Sequence, residues 1–162
     1  MPLTGYMKVP DIKGESYRVD HEDEIDFYNI ELQIRQPHAK QGHGRASTSA
    51  EVGLIYTYHM MNAADVYLAK SCMTGKPFDE IVYYVRKDSG DAHIDYYTLT
   101  LNDALISHYE IIGAPEAAEE GQEMRVKVGC SGRFVKMLYK MQEEDGSVGD
   151  EHEIEHDIAA GV

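Results

Sequence analysis

The sequence predicts a mainly β (α+β) protein, an antiparallel β-barrel of two curled sheets with one flanking α-helix. Apolar and polar residues alternate with a period of two over most of the chain, which is typical of half-buried strands. One stretch, residues 63–74, has helical spacing instead. Turn residues divide the rest into roughly eight or nine strand-like stretches, and that many strands around one helix favour a curled sheet or barrel.

The longest alternating stretch spans residues 24–35, and we expect it to organise the sheet. Its apolar side chains form two sets, Ile25 with Phe27 and then Ile30, Leu32 and Ile34. The phase slips by one residue at Tyr28 and Asn29. Such a slip sends the later set to the opposite face unless a bulge or sharp bend absorbs it. We therefore predict one long strand that bends near its middle, a device by which a sheet curls into a barrel.

Further alternating stretches predict the partner strands. They cover residues 6–9, 51–59, 80–86, 93–101, 104–112, 123–130, 133–141 and 151–158. The helix is expected to be capped by Asn62 and to end before Gly75 and Pro77, which are common helix stop signals. One apolar stripe at helical spacing predicts the face that packs on the core: Ala64, Leu68 and Cys72.

Composition excludes several classes of function. The net charge is −14, and the chain lacks the clustered Lys and Arg that bind nucleic acid or anionic membranes. No apolar run approaches the roughly 20 residues of a membrane span, and no basic segment followed by an apolar core marks a secretory signal. The two cysteines, Cys72 and Cys130, lack metal or redox spacing, so we expect buried thiols of a reducing compartment.

A long polar segment, residues 38–49, follows the bent strand. Unstructured connections of about a dozen residues are uncommon in compact domains and are usually functional or disordered. Four side chains make this segment the only locally basic loop of an acidic protein: His38, Lys40, His43 and Arg45. The segment is therefore a candidate interaction loop.

Residues 152–156, HEIEH, match the zinc protease signature H-E-x-x-H. That chemistry needs both His side chains on one face of a helix and a third ligand further along the chain. Here the residues alternate as in a strand, and neither His nor Cys follows His156. We therefore predict a strand with surface charges at this position.

Other catalytic motifs are also missing from the sequence. It contains neither a G-x-S-x-G elbow nor a recognisable Cys–His signature. Gly42 and Gly44 do not lie between a strand and a helix, as a phosphate-binding loop requires. The sequence thus predicts no catalytic residue, no cofactor-binding residue and no metal ligand, and we do not expect an enzyme.

The order of several short motifs resembles the Hcp (haemolysin co-regulated protein) family, the tube protein of bacterial type VI secretion systems. The matching stretches are IKGES at 12–16, HEDEID at 21–26, GRAS at 44–47, TGKPF at 74–78, VRK at 85–87, TLTLNDALISHY at 98–109 and YKMQEEDGSVG at 139–149. Many members carry Trp and Gly in the second half of the long strand, where this chain has Ile30, Leu32 and Gln33.

This resemblance implies a single Hcp-like domain over residues 1–162. It implies hexameric rings that stack into a hollow tube, with sheath and spike proteins of the secretion system and secreted effectors as partners. The loop at 38–49, with His38, Lys40, His43 and Arg45, would contribute to ring contacts or stacking. The protein would be cytoplasmic before assembly and then secreted without a cleaved signal peptide.

Two alternatives remain open from the sequence. A non-polymerising adaptor or effector of the same fold would bind cargo and use the acidic segment after residue 143 for interaction. A zinc hydrolase would use His152 and His156.

Overall fold

A computed structural model describes residues 3–37, 50–89, 92–113 and 124–162. His38, Lys40, His43 and Arg45 of the predicted interaction loop lie outside these residues. The described chain forms β1 (Thr4–Lys8), β2 (Ile25–Phe27), β3 (Asn29–Glu31), β4 (Ile34–Arg35), β5 (Glu51–Val52), β6 (Ile55–Met60), α1 (Asp65–Thr74), β7 (Pro77–Ser89), β8 (Ala92–Gly113), β9 (Arg125–Gln142) and β10 (Val148–Asp157).

The main sheet is antiparallel and curls back towards its own first strand. Its order is β2-β1-β7-β8-β9-β6-β3, with β10 as a branch paired to β9, and β4 and β5 form a separate pair. The two ends of this path, β2 and β3, are consecutive in sequence and are separated by Tyr28 alone. This topology confirms the predicted curled antiparallel sheets with one helix.

The prediction of one continuous strand over residues 24–35 is wrong. The chain forms three short strands there, because its two halves pair with different partners. β2 pairs with β1, whereas β3 pairs with β6. The change of partner occurs where the alternation slips, and the Tyr28 backbone N–H donates to the Tyr58 carbonyl at 2.9 Å. The predicted bend at this residue is therefore confirmed.

Two predicted interruptions of strands are also wrong. Residues 93–101 and 104–112 belong to one strand, β8, and residues 125–130 and 133–141 to another, β9. β8 is irregular at Asp103, between the two predicted strands, where the backbone adopts a positive φ of 49°. Gly132 pairs with Ala104 at this level, and a Cβ on Gly132 would lie 3.0 Å from the Asn102 carbonyl oxygen. The missing side chain lets the ladder continue through the irregular region.

Helix α1 begins two residues later than predicted. Asn62 accepts a hydrogen bond from the Ala64 N–H through Oδ1 at 2.8 Å, and its carbonyl accepts one from the Asp65 N–H at 3.2 Å. The residues before Asp65 therefore form a turn. The helix ends as predicted at Gly75, which adopts the left-handed conformation with φ 65°.

A buried polar network fastens α1 to the sheet. His59 Nε2 on β6 lies 2.9 Å from Asp65 Oδ1 at the start of the helix, and Tyr109 on β8 donates to the same oxygen at 3.1 Å. Burial and the Asp65 carboxylate raise the pKa of Tyr109, so it remains a hydroxyl donor. His59 Nδ1 is buried without a hydrogen-bond partner in the described part of the chain. This arrangement suits a neutral imidazole with its proton on Nε2.

Side chains from β1, β2, β6, β7, β8, β9 and α1 fill the core. The largest buried apolar ones include Met7, Ile25, Ile55, Leu68, Ile81, Tyr83, Leu99 and Leu101. The expectation of two buried thiols holds for Cys130, which lies in this core, whereas Cys72 on α1 is half-buried. Burial raises the pKa of Cys130 to about 12, so its thiol is protonated at neutral pH.

Truncation of the core residue Ile81 tests this packing. Ile81 is fully buried, and we expect Ile81→Ala to lower the free energy of unfolding by about 2–5 kcal/mol through the lost transfer energy and the resulting cavity. The matched control is Ile111→Ala, since Ile111 is 52% exposed, and we expect a change within about 0.5 kcal/mol. Denaturant titrations at one protein concentration measure both. Equal losses would contradict the assignment of the core.

Candidate functional site

Strand β10 has one edge without a strand partner in the described part of the chain. One side of β9 pairs with β8 along most of its length. Its other side pairs first with β6, through residues 125–130, and then with β10, through residues 134–142. β10 itself pairs with β9 alone among these strands. Unpaired strand edges present N–H and C=O groups that can bind another strand.

One face of β10 continues the core side of the sheet but is not covered. Register places Ile154 opposite Met137 and His152 opposite Tyr139. The row of Ile154 and Met137 includes Leu99, which is buried, but Ile154 is 59% exposed. Tyr139, in the next row on the same face, is 41% exposed. The apolar face thus extends beyond the core that it helps to form.

This uncovered face is hereafter called the β10 shelf. It borders a depression of about 460 Å³, lined by Tyr97, Met137, Tyr139, Glu151, His152, Glu153 and Ile154. Tyr139 packs edge-on against Tyr96 at 6.2 Å between ring centroids, so the aromatic part of the shelf is held in place. Exposed apolar surface of this kind, edged by polar residues, marks a surface for protein contact.

The opposite face of β10 is polar. Lys136 Nζ lies 3.0 Å from Glu153 Oε1, and Lys140 Nζ lies 3.9 Å from Glu151 Oε1. The Glu153 carboxylate raises the pKa of the Lys136 ammonium. Exposed pairs like these contribute little to folding. The strand is thus amphipathic, with charges on one face and the shelf on the other.

The strand geometry contradicts the zinc hydrolase alternative for His152 and His156. Both lie on β10, where four residues span about 13 Å, because a strand rises about 3.3 Å per residue. A single zinc ion needs its nitrogen ligands at about 2.0–2.1 Å. Ile154 also lies between the two histidines. The predicted strand at residues 151–158 is confirmed, and it extends over Val148–Asp157.

A second feature, a buried histidine, anchors the loop that connects β1 and β2. His21 is 2% exposed, and its Nδ1 contacts Glu24 Oε2 while its Nε2 lies 2.8 Å from Asp95 Oδ2 on β8. Since both ring nitrogens face carboxylate oxygens, the site suits an imidazolium that donates twice. Its ring stacks on Tyr6 at 4.3 Å with an interplanar angle of 7°.

Two further groups complete this anchor. Arg86 on β7 donates through Nε to Asp95 Oδ1 at 3.1 Å and through Nη2 to the Val19 carbonyl at 3.5 Å. Burial raises the pKa of Glu24, an effect that its hydrogen bond with His21 partly offsets. The network therefore joins the loop to the β7–β8 hairpin.

Sequence reasoning missed this network. His21 and Glu24 belong to the HEDEID motif, but their partner Asp95 lies 74 residues further along the chain. Only the pairing of β1 with β7 and of β7 with β8 brings these residues together.

A family model described as "Type VI secretion system effector, Hcp" matches residues 6–137 of the chain. This match spans most of the sequence, including the anchor motif at 21–26. The chain belongs to the Hcp family. The resemblance stated from the ordered motifs is thereby confirmed. No curated protein sequence matches the chain.

Solved structures share the Hcp fold at low sequence identity. A structure described as a type six secretion system protein is 16% identical, with a TM-score of 0.86, over 99% of this chain and 98% of the other. Hcp1 from Salmonella typhimurium is 22% identical, with a TM-score of 0.78, over 99% of this chain and 97% of the other. A type VI secretion system effector from Yersinia pestis is 20% identical, with a TM-score of 0.74, over 95% of this chain and 99% of the other.

In this Hcp-family chain the predicted site and the observed candidate surfaces differ. The predicted residues His38, Lys40, His43 and Arg45 lie outside the described residues, so their role as an interaction loop stays a prediction. The described chain instead contributes the β10 shelf and the anchored loop.

Among the described residues, no helix is long and apolar enough to cross a bilayer.

Removal of the His21 imidazole tests the anchor. We expect His21→Ala to lower the free energy of unfolding by about 2–4 kcal/mol, because it leaves the Glu24 carboxyl without its partner in a buried site. The control His152→Ala removes an exposed histidine of β10 and should change stability by about 0.5 kcal/mol or less. Equal stability of the two variants would show that the anchor contributes nothing to folding.

Proposed function

We propose that the chain is a structural subunit of the type VI secretion tube. Copies associate into hexameric rings, the rings stack into a tube, and small effectors are held in the lumen. Sheath and spike proteins of the secretion system are its further partners, and the assembled tube leaves the cytoplasm. The protein acts by assembly and has no catalytic role.

The observation that carries this proposal is the incomplete covering of β10. Its second edge lacks a strand partner in the described part of the chain, and its apolar shelf is exposed at Ile154 and Tyr139. Another copy of the chain would cover both. A contact that joins two different surfaces of identical subunits and closes on itself produces a ring. Family membership supports the same conclusion.

Charge sets a condition on this assembly. Each subunit carries a net charge of −14, so neighbouring subunits repel one another. An interface that persists needs to bury on the order of 1,000 Å² or more. Since salt shortens the range of the repulsion, association should strengthen as the ionic strength rises.

The shelf variant Ile154→Glu tests the role of β10. In size-exclusion chromatography with light scattering, we expect the wild type to elute as a hexamer at micromolar concentration. The fraction of hexamer should be smaller at low salt. Ile154→Glu should weaken association about tenfold or more, because a charge then enters an apolar contact. The matched control Ile111→Glu, on an exposed isoleucine of β8, should have a smaller effect.

The result can also contradict the proposal. A wild-type monomer at both low and high salt would reject the ring and favour the non-polymerising adaptor of the same fold. If Ile154→Glu leaves the hexamer unchanged, the ring proposal stands but the β10 shelf is not part of the interface between subunits.

The basic loop at 38–49 is proposed to act in stacking between rings. Lys40→Glu and Arg45→Glu replace cations with anions in an acidic assembly, so we expect shorter tubes with rings and fold intact. Electron microscopy measures tube length, and circular dichroism checks the fold. Tubes of unchanged length in both variants would exclude the loop from stacking.

A further inference from the structure

We propose that the outer face of α1 binds the acidic turn between β9 and β10 of a second copy of the chain. The outer face is formed by the exposed side chains of the helix: Val66, Tyr67, Lys70, Met73 and Thr74. The acidic turn spans residues 143–150 and includes the first residues of β10. This inference rests on the proposed self-assembly and adds a contact that does not involve the β10 shelf.

Helix α1 is apolar on both of its sides. Its inner side buries Leu68 in the core. On the outer face Val66 is 69% exposed, Tyr67 is 62% exposed and Met73 is 77% exposed. A surface helix usually carries polar residues opposite its core side, whereas a helix that is apolar all round is usually buried. The outer face therefore has the composition of a surface that is covered in an assembly.

The apolar outer face also carries positive charge. Lys70 lies among its apolar side chains, and Lys76 follows the helix and is exposed. Neither lysine has a carboxylate partner in the described part of the chain, and Lys76 Nζ lies 5.3 Å from the centroid of the Phe78 ring. Asp65, the acidic residue of the helix, is buried in the polar network below it. Apolar surface with cations of this kind favours an acidic partner.

The acidic turn has the complementary charge. It contains Glu143, Glu144, Asp145 and Asp150 but neither Lys nor Arg. Within the described ranges none of these carboxylates has a cation partner. The Ser147 hydroxyl and N–H donate to Asp145 Oδ1 at 2.6 and 2.9 Å and hold the pKa of that carboxyl below its usual range. Asp145 is therefore ionised at neutral pH, and the turn presents an anionic surface.

The acidic turn is preformed and partly apolar. The Glu143 N–H donates to the Ser147 carbonyl at 2.9 Å, and the Gly146 N–H donates to the Glu143 carbonyl at 2.9 Å. Val148 is 48% exposed, and Met141, just before the turn, is 43% exposed. A preformed turn loses little conformational freedom when it binds, which favours affinity. The turn thus offers apolar area beside carboxylates, as the helix offers apolar area beside lysines.

The two surfaces lie at opposite ends of β9. The first residue of α1 is bonded to Tyr109 of β8, which pairs with Val128 of β9. The acidic turn follows Gln142, the last residue of β9, which pairs with Val148. From Val128 to Gln142 the distance along the strand is about 45 Å, because a strand rises about 3.3 Å per residue. This placement favours a contact between copies, and a contact between two different surfaces can repeat from copy to copy.

Charge reversal followed by mixing tests the contact. The helix variant carries Lys70→Glu and Lys76→Glu, and the turn variant carries Glu144→Lys and Asp150→Lys. Each variant alone should associate at least about tenfold more weakly than the wild type, because like charges then meet. An equimolar mixture should recover most of this loss, since each variant supplies the surface that the other lacks. Sedimentation velocity measures association, and circular dichroism verifies the fold.

Two comparisons separate this contact from general repulsion between acidic copies. The matched control carries Lys8→Glu and Lys13→Glu, which give the same net charge as the helix variant at two exposed lysines. It should weaken association less than about threefold. The turn variant is less acidic than the wild type, so general repulsion predicts stronger association, whereas the contact predicts weaker association.

Cysteine cross-linking provides an independent measurement. A Cys72→Ser chain carries Met73→Cys and Val148→Cys and is oxidised with diamide at micromolar concentration. We expect a ladder of covalent oligomers on a non-reducing gel, because each copy supplies both partners. The matched control pairs Met73→Cys with Tyr17→Cys, whose position is 94% exposed and lies outside the acidic turn. It should give at least tenfold less ladder.

The outcomes separate this inference from the function on which it rests. A mixture that does not recover, a helix variant that behaves like its charge-matched control, or equal ladders from the two cysteine pairs would overturn the contact. Each of these results would leave the assembly proposal standing and would assign the outer face of α1 to a different partner. A wild type that is monomeric at every salt concentration would reject both.

Discussion

The junction at Tyr28 is the constraint on which the rest of the structure depends. It lies between β2 and β3, which are the two ends of the main sheet path. A sheet whose first and last strands are joined by one residue must curl until those strands meet. That curvature encloses the core formed by residues such as Ile81 and Leu99. It also decides which strands belong to the curled wall.

β10 is the strand that lies outside the main path of the curled sheet. β9 already pairs with β8 on one side, and β6 occupies the first part of its other side before leading to β3. β10 can pair only with the part of β9 that extends past β6. The inner face of that extension is not covered, so Ile154 and Tyr139 are exposed although they lie on the same face of the sheet as the buried residues Leu99 and Val135. The candidate assembly surface is therefore a consequence of how the rest of the sheet curls.

Two buried histidines hold the external segments in different ways. His59 uses one nitrogen towards Asp65 and leaves the other without a partner, which suits a neutral ring that fixes the helix start. His21 directs both nitrogens at carboxylates and stacks on Tyr6, which suits a charged ring. The helix is thus docked through one ring nitrogen of His59, whereas the loop is held by a cluster in which His21 lies between Glu24 and Asp95. That cluster keeps the backbone below Tyr17 and Val19 in place.

Much of the fold could be predicted from local pattern, and the site could not. Alternation with a period of two identified the strands, and Gly75 identified the helix end, because both are local effects. The division of residues 24–35 depended on Tyr58, and the continuity of β9 through Gly132 depended on Asn102, both distant in sequence. Alternation also shows that Leu99 and Ile154 face one side of their strands, but not that only Leu99 is covered.

The remaining question is how subunits of net charge −14 can associate, and the answer has to come from this chain's own surfaces. The solved relatives reported above are at most 22% identical, so they share its fold while interface side chains can differ throughout. Like-charge repulsion is spread over the whole surface and is weakened by salt. Apolar burial at a contact is short-ranged and survives screening. An acidic subunit can therefore assemble where its surface offers uncovered apolar area. In the described residues the β10 shelf supplies such area, at Ile154 and Tyr139.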